Sequence, residues 1–324
     1  MDLPNSTIYY AGQSARIGCH LLFKTGSFTF GIEICEDLWA TVPPSSNQSL
    51  HGAEIIFNLS ADNDGIGKHE YLKGLISQQS ARCLCGYVYS GCGFGESTQD
   101  IVFSGKGFIY EEGVLLAEAR RFSMEPQLTV SEIDVEKLRH ERRLNTTFAT
   151  SASREAGNQS YEIIDSQAIF DYTGFELSRS IDAHPFVPCG AALDERCEEI
   201  ISIQVEGLSK RLLHTKAQTA VIGISGGLDS TLALLVCVKA FDKLKMDRKG
   251  IVGVTMPGFG TTDRTYNNAI SLMKSLGISI REISIAKAVT QHFEDIGHDA
   301  SVHDVTYENS QARERTQILM DLAN

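Results

Sequence analysis

Long apolar runs are missing from this 324-residue sequence. None approaches the ~18–20 residues that cross a bilayer. The start, Met1-Asp2-Leu3-Pro4-Asn5, lacks a basic stretch followed by an apolar one, so neither a membrane span nor a secretory leader is expected. Cations are in deficit as well: 29 Lys and Arg stand against 41 Asp and Glu, a formal net charge of −12. That balance argues against a broad surface for nucleic acid or anionic membrane, which needs clustered Lys and Arg. Metal-spaced cysteine pairs are absent too. The eight cysteines are scattered, Cys83-Leu84-Cys85 is the closest pair and no CxxC occurs, so reduced thiols are expected and structural zinc is not. What is left describes a cytoplasmic protein with room for about two domains and with small molecules or proteins as partners.

The most informative stretch is 221–231. Residues 221–224 form a short apolar run suited to a buried parallel strand, and Leu232, Leu234, Leu235, Val236 and Val238 continue it as an apolar helix. Between them lies Ser225-Gly226-Gly227-Leu228-Asp229-Ser230. The two glycines open backbone angles closed to other residues, so successive N–H groups can converge on an anion at the positive end of the helix. Phosphate is the anion that fits. The loop lacks a Walker A lysine, so Asp229 is expected to hold Mg²⁺ on the phosphates rather than repel them. Taken alone, the serine and two glycines would also suit a turn with an Asp229-Ser230 helix cap.

In its order of residues, 225–230 resembles the SGGxDS loop of the N-type ATP pyrophosphatases, which cleave ATP between the α- and β-phosphates to adenylate a substrate. The wider context resembles the glutamine-dependent NAD⁺ synthetases. That resemblance implies ATP and Mg²⁺ as cofactors, with Ser225, Gly226, Gly227, Asp229, Ser230 and Met256 binding ATP and Asp229 serving the metal. Thr255 and Met256 would border the adenine, although Met256 also reads as core, and 259–262 would lie near ATP.

A second candidate is Cys35. Residues 28–35 alternate and then turn polar at Glu36-Asp37, a pattern that delivers the thiol to the end of a strand, where a substrate can reach it. A lone cysteine is ordinarily packed and inert. The segment Glu33-Ile34-Cys35-Glu36-Asp37-Leu38-Trp39, however, resembles the nucleophile segment of nitrilase-type amidases. Asn58-Leu59-Ser60 and Gln79-Ser80-Ala81-Arg82-Cys83 follow as in the glutaminase domain of the NAD⁺ synthetases. By that resemblance Cys35 attacks the glutamine side-chain amide, and Glu36, Asp62 and Lys68 lie about the amino acid. Asp62 stands where many family members have serine.

The family's Glu base and Lys lie upstream of its cysteine segment, and neither Glu33 nor Lys24 matches them. Both read as strand-surface charges. A thiol lacking a positioned base and cation is a poor amidase, so little glutaminase activity is expected. The downstream GTGD-like loop is also unmatched. The chain therefore reads as an internal fragment, weakly active or inactive.

The expected fold is α/β: a partial nitrilase-like αββα sandwich over 1–144, an irregular linker over 145–193, and a partial Rossmann-like parallel-sheet ATP pyrophosphatase domain over 194–324. Strands are read at 55–59, 87–90, 128–130, 251–256 and 278–283, and two or three more across 101–116 with a turn near Glu111-Glu112-Gly113. Helices are read at 69–83, 134–143, 194–213 and 263–276, and 93–100 is read as a loop. Near the end, 304–315 resembles the family segment that approaches deamido-NAD⁺. Asn309 and Arg313, four apart on one helix face, are its candidate ligands; local ion pairs would explain the same residues. The implied substrates are deamido-NAD⁺, glutamine and ATP, and the family forms homo-oligomers. Rival readings are another N-type pyrophosphatase, such as GMP or asparagine synthetase, and a nucleotide-binding module without turnover.

Overall fold

The structure, a computed structural model, describes residues 4–96, 100–259 and 263–324. Residues 260–262, expected beside ATP, and 97–99 of the expected loop lie outside them. The chain divides into two compact units, 1–182 and 183–324.

Unit 1 begins with a hairpin, β1 (Ser6–Tyr10) and β2 (Gln13–Ile17), and continues through β3 (Leu21–Lys24), β4 (Thr29–Ile34), α1 (Pro44–Leu50), β5 (Ile55–Ser60), α2 (Lys68–Cys83), β6 (Gly86–Gly91), β7 (Gly107–Glu111), β8 (Val114–Glu118), α3 (Val135–Leu144), α4 (Thr146–Glu155) and β9 (Glu162–Asp165). A seven-stranded mixed sheet runs in the order β8-β7-β6-β5-β4-β3-β9, with β4, β5 and β6 parallel. Alternate residues explain its packing. Ile56, Tyr87, Tyr89, Phe108 and Tyr110 meet Leu72 and Ile76 of α2 in one buried cluster, and α1 presses so close to β4 that a Cβ at Gly31 would run into Gln48. Residues of the opposite parity, such as Ile34 at 56% and Leu59 at 55%, are exposed. Among the described residues unit 1 thus has this seven-stranded sheet with α1 and α2 against one face, and the β1-β2 hairpin as a separate two-stranded sheet.

Several expectations need correcting. Of the two or three strands expected across 101–116, β7 and β8 form, with their turn at Glu112-Gly113, while 101–103 and 128–130 pair with no strand among the described residues; Leu128 and Val130 are exposed, so no burial holds them extended against the sheet. The stretch 145–193 is not uniformly irregular. Asn145 ends α3, and its side chain accepts the Phe148 N–H at the start of α4. The Arg142 guanidinium fastens this joint to the sheet layer by donating to the carbonyls of Ala53, Cys83 and Leu84 while lying over the Phe148 ring. Farther on, β9 pairs in parallel with β3, Leu21 opposite Glu162. Ser- and Thr-rich composition concealed α4, because those residues are weak helix formers whatever their packing; β9 is four residues long, and its strand state rests on pairing with the distant β3.

Unit 2 contains α5 (Leu193–Thr215), β10 (Ala220–Gly223), α6 (Leu228–Lys243), β11 (Ile251–Thr255), α7 (Asp263–Leu276), β12 (Ser279–Glu282), α8 (Ala286–Ile296) and α9 (Val305–Ala323). The strands form a parallel sheet in the order β10-β11-β12. Both faces are covered, as parallel sheets require. Ile251 and Ile278 pack with α5, α6 and α7, whereas Val254 packs with α8 and α9. Among the described residues no helix is long and apolar enough to cross a membrane.

Candidate functional site

In unit 1 the strand β4 ends at Ile34, and Cys35 starts a 3₁₀ turn through Trp39. Cys35 takes φ +50°, a left-handed conformation uncommon for a side chain-bearing residue. The turn is held by Asp37, whose carboxylate accepts the Ile34 N–H at 2.8 Å. Because side chains alternate, Glu33 and Cys35 of one strand end, Asn58 and Ser60 of β5, and Tyr87 and Tyr89 of β6 all point to the helix side of the sheet.

Glu33 is not a strand-surface charge; it is fully buried. Its carboxylate accepts the Tyr87 hydroxyl and the Ser45 N–H, each at 2.5 Å. Asn58 Nδ2 donates to the Tyr87 oxygen at 3.2 Å and lies 3.5 Å from the Cys35 carbonyl oxygen. Burial pushes the Glu33 carboxyl up, and the bonds from Tyr87 and Ser45 oppose that only in part. A carboxyl raised on folding binds its proton more tightly in the native state, so wild-type stability falls as pH rises through the range above the unfolded value of ~4.3. Glu33→Gln removes that dependence. In denaturant titrations from about pH 5 to about pH 8 the variant should gain on wild type as pH increases; a constant gap would overturn this.

Around the thiol, the Ser60 hydroxyl donates to Cys35 Sγ at 3.4 Å. Asp62 and Lys68, both expected beside an amino-acid ligand, pair with each other. Sequence reasoning missed Lys106, whose side chain is 2% exposed and whose Nζ lies 3.4 Å from carboxylates of both Asp62 and Asp64. Its only sequence signal was a lysine between two glycines. Burial alone would raise Asp64, yet the Ser104 hydroxyl, the Lys106 ammonium and the Gly65 N–H hold it below the usual aspartate range. Glu36 is exposed on the 3₁₀ turn, and Lys24 is exposed at the end of β3.

In unit 2, residues 224–227 link β10 to α6. Gly226 has φ +85°, and a Cβ there would run into the Thr265 carbonyl oxygen. Gly227 has φ −85° as the residue before the helix. The serines close the loop: Ser225 Oγ accepts the Gly227 N–H at 3.2 Å and lies 3.1 Å from Ser230 Oγ, while the Ser225 N–H donates to Ser230 Oγ at 3.3 Å. N–H groups in the first turn of α6 have no intrahelical acceptor. Asp229 is exposed in that same turn.

Beside the loop, at the carboxyl ends of β10 and β11, is a cavity of about 710 Å³ lined by Ser225, Thr255, Met256, Asn309, Gln311 and Arg315 among others. Met256 both lines the cavity and joins the core beside Val254. Asn309 reaches it. Arg313 is exposed and outside the lining; the face turned inward carries Gln311, Arg315 and Leu319, an i, i+4, i+8 row. Arg315 was missed because 309 and 313 share a spacing equally good for another face. Its Nε donates to the Met256 carbonyl at 3.4 Å, and burial lowers the guanidinium.

Residues 200–324 match the NAD synthase family. The whole chain is 39% identical, over 332 aligned residues, to the glutamine-dependent NAD(+) synthetase of Mycobacterium tuberculosis, covering 49% of that protein. It is 27% identical to the Thermotoga maritima enzyme of the same name, covering all of this chain and 53% of that one. The chain therefore spans about half the length of the curated relatives it matches. Among solved structures, glutamine-dependent NAD⁺ synthetase from Acinetobacter baumannii in complex with adenosine diphosphate aligns with 99% of this chain and 48% of its own, at 19% identity and TM-score 0.37. Residues 200–324 are thus similar to the NAD synthase family, within a chain similar along its whole length to part of the glutamine-dependent NAD(+) synthetases.

Proposed function

We propose that unit 2 binds ATP at residues 225–230 and the adjoining cavity, in the service of NAD⁺ synthesis from deamido-NAD⁺, and that unit 1 carries a glutaminase nucleophile of nitrilase type. The observation that carries the first part is the loop itself: a glycine at positive φ packed against the Thr265 carbonyl, with two serines and free helical N–H groups around it, opens on a cavity at the ends of parallel strands. In this reading the adenine lies by Thr255 and Met256, and the phosphates meet the first turn of α6. Asp229 would hold Mg²⁺, a cation that takes one or two carboxylates and completes its shell with phosphate and water. The ion would neutralise charge on the departing pyrophosphate. The nicotinic carboxylate attacks the α-phosphorus, the bond to pyrophosphate breaks, and ammonia then displaces AMP. Asn309 and Arg313 are proposed to meet deamido-NAD⁺.

For the ammonia source, the Cys35 sulfur forms a bond to the glutamine side-chain carbonyl carbon. The carbon–nitrogen bond breaks, nitrogen leaves with the proton that the thiol has lost, and water cleaves the thioester. Homo-oligomer formation belongs to the same proposal.

Calorimetric titration with ATP tests the nucleotide site in the chain as it stands. Wild type should bind more tightly with Mg²⁺ than without, and Asp229→Asn should lose that Mg²⁺ enhancement, about tenfold in Kd or more. An Asp229→Asn variant with an unchanged Mg²⁺ enhancement would sink the assignment. ATP binding without pyrophosphate release on adding deamido-NAD⁺ would favour a binding module over a synthetase.

A further inference from the structure

We propose that Ser60 is a catalytic residue of the Cys35 centre, a hydrogen-bond donor to the reacting sulfur, and that Tyr89 is the positioning residue that aims it. The inference deepens the reading of Cys35 as a nucleophile and rests on it. Ser60 Oγ donates to Cys35 Sγ at 3.4 Å. The Tyr89 hydroxyl donates to Ser60 Oγ at 2.7 Å. A serine hydroxyl has a single proton. With one oxygen lone pair occupied by Tyr89, that proton is directed at the sulfur, where it stabilises negative charge and so favours the thiolate, the nucleophilic form.

The framework of the chain is rigid. Tyr89 is 1% exposed and Ser60 8%. The Ser60 carbonyl accepts the Cys92 N–H at 2.9 Å, and β5 is paired with β6 from Ile55 opposite Gly86 to Ser60 opposite Gly91. Burial raises the Tyr89 phenol far above its ordinary value, so Tyr89 stays protonated and remains a donor at any working pH. Two residues earlier on the same two strands, Asn58 Nδ2 donates to the Tyr87 oxygen and lies 3.5 Å from the Cys35 carbonyl oxygen, while the Tyr87 proton goes to Glu33. The sulfur and its carbonyl are therefore addressed by successive residues of the same two strands.

Other charged or titratable groups surround the thiol. Tyr89 and Cys92 lie near it on β6 and the residue after it, with Asp62 on the chain following β5 and Lys68 and Lys106 paired to Asp62; on its own strand and turn, Glu33 is bonded to Tyr87 and Ser45, Asp37 to the Ile34 N–H, and Glu36 is exposed. Substitution of Ser60 or Tyr89 leaves all the carboxylates and lysines in place.

The test is the pH profile of alkylation by iodoacetamide, read by mass spectrometry on the whole chain. Trypsin releases residues 25–68 as one peptide in which Cys35 is the sole cysteine. Ser60→Ala should slow alkylation at pH 7 by about fivefold to tenfold and move the midpoint upward, because a hydrogen bond to a charged group has been lost. Above the new midpoint the rate should equal or exceed wild type, since a more basic thiolate is intrinsically the stronger nucleophile. Tyr89→Phe should shift the profile the same way by a smaller amount, and Ser60→Thr, which keeps the hydroxyl, should restore it.

A wild-type profile in Ser60→Ala overturns the proposal. If that variant unfolds, the buried Cys83 and Cys85 become reactive as well, and the decision passes to Tyr89→Phe: an unshifted profile there overturns it equally. The measurement involves no glutamine, so a shifted profile without glutamine hydrolysis removes the glutaminase reading alone. An unshifted profile with hydrolysis removes only the role of Ser60.

Discussion

Replacing Lys106 with methionine should destabilise unit 1 by about 3–5 kcal/mol, the cost of leaving buried carboxylates without their cation. The side chains of Asp62 and Asp64 are 9% and 8% exposed, and Lys106 Nζ lies 3.4 Å from each. Asp62 keeps Lys68 as a second partner, so the larger part of the loss falls on Asp64. Methionine preserves most of the stem and therefore most of the packing. Trp39 is the single tryptophan of the chain; it stacks on Tyr71 at 5.4 Å, so its fluorescence follows unit 1 alone during denaturant titration.

The loss should also depend on pH in a defined direction. Asp64 is held below its usual range, so its contribution is present above the unfolded value of ~3.9 and disappears as acid protonates the folded carboxyl. Wild type and Lys106→Met should converge below about pH 4. Adding Asp64→Asn to the variant should recover part of the stability at neutral pH. Equal unfolding midpoints for wild type and Lys106→Met at pH 7 would show that the cluster is solvated rather than buried.

The second large effect is expected at Gly226. Alanine there must adopt φ +85° and meet the Thr265 carbonyl oxygen. The left-handed conformation costs about 1–2 kcal/mol, and forcing an extra methyl into a packed contact costs about 1–3 kcal/mol more. Backbone carbonyls do not rotate out of the way as side chains do, so the loop itself should shift. ATP affinity should fall at least tenfold, about 1.4 kcal/mol or more. The neighbouring glycine supplies the control. Gly227 sits at φ −85°, and the nearest atom to an added Cβ is Ser225 Oγ at 3.4 Å, an ordinary contact. Gly227→Ala should therefore remain close to wild type in thermal stability. Equal thermal midpoints for the two alanine variants would refute the conformational argument.

Much of the molecule was readable from residue order. The run into Ser225, the two glycines and the apolar helix beyond them specify a strand, loop and helix through short-range rules of backbone freedom and periodicity. The change from apolar alternation to Glu36-Asp37 likewise located the end of β4 to within one residue, with Cys35 just beyond it. Elements built from weak formers escaped notice. The helix α4 is started by Asn145 and held by Arg142 reaching carbonyls at 53, 83 and 84, and no local pattern records contacts that distant.

Within the sites the same division holds. Residue types and spacing within a few positions were enough to nominate Cys35, Asp229 and the serines of the loop, because their chemistry and local turn geometry are properties of contiguous chain. The partners of those residues came from elsewhere. Ser60 and Tyr89 meet Cys35 across three strands, Lys106 reaches Asp62 and Asp64 from the start of β7, and Arg315 rather than Arg313 faces the cavity. Strand register and helix rotation settle such pairings, and both are set by which apolar faces are buried against each other across the fold, a long-range balance of packing that no short window of sequence contains.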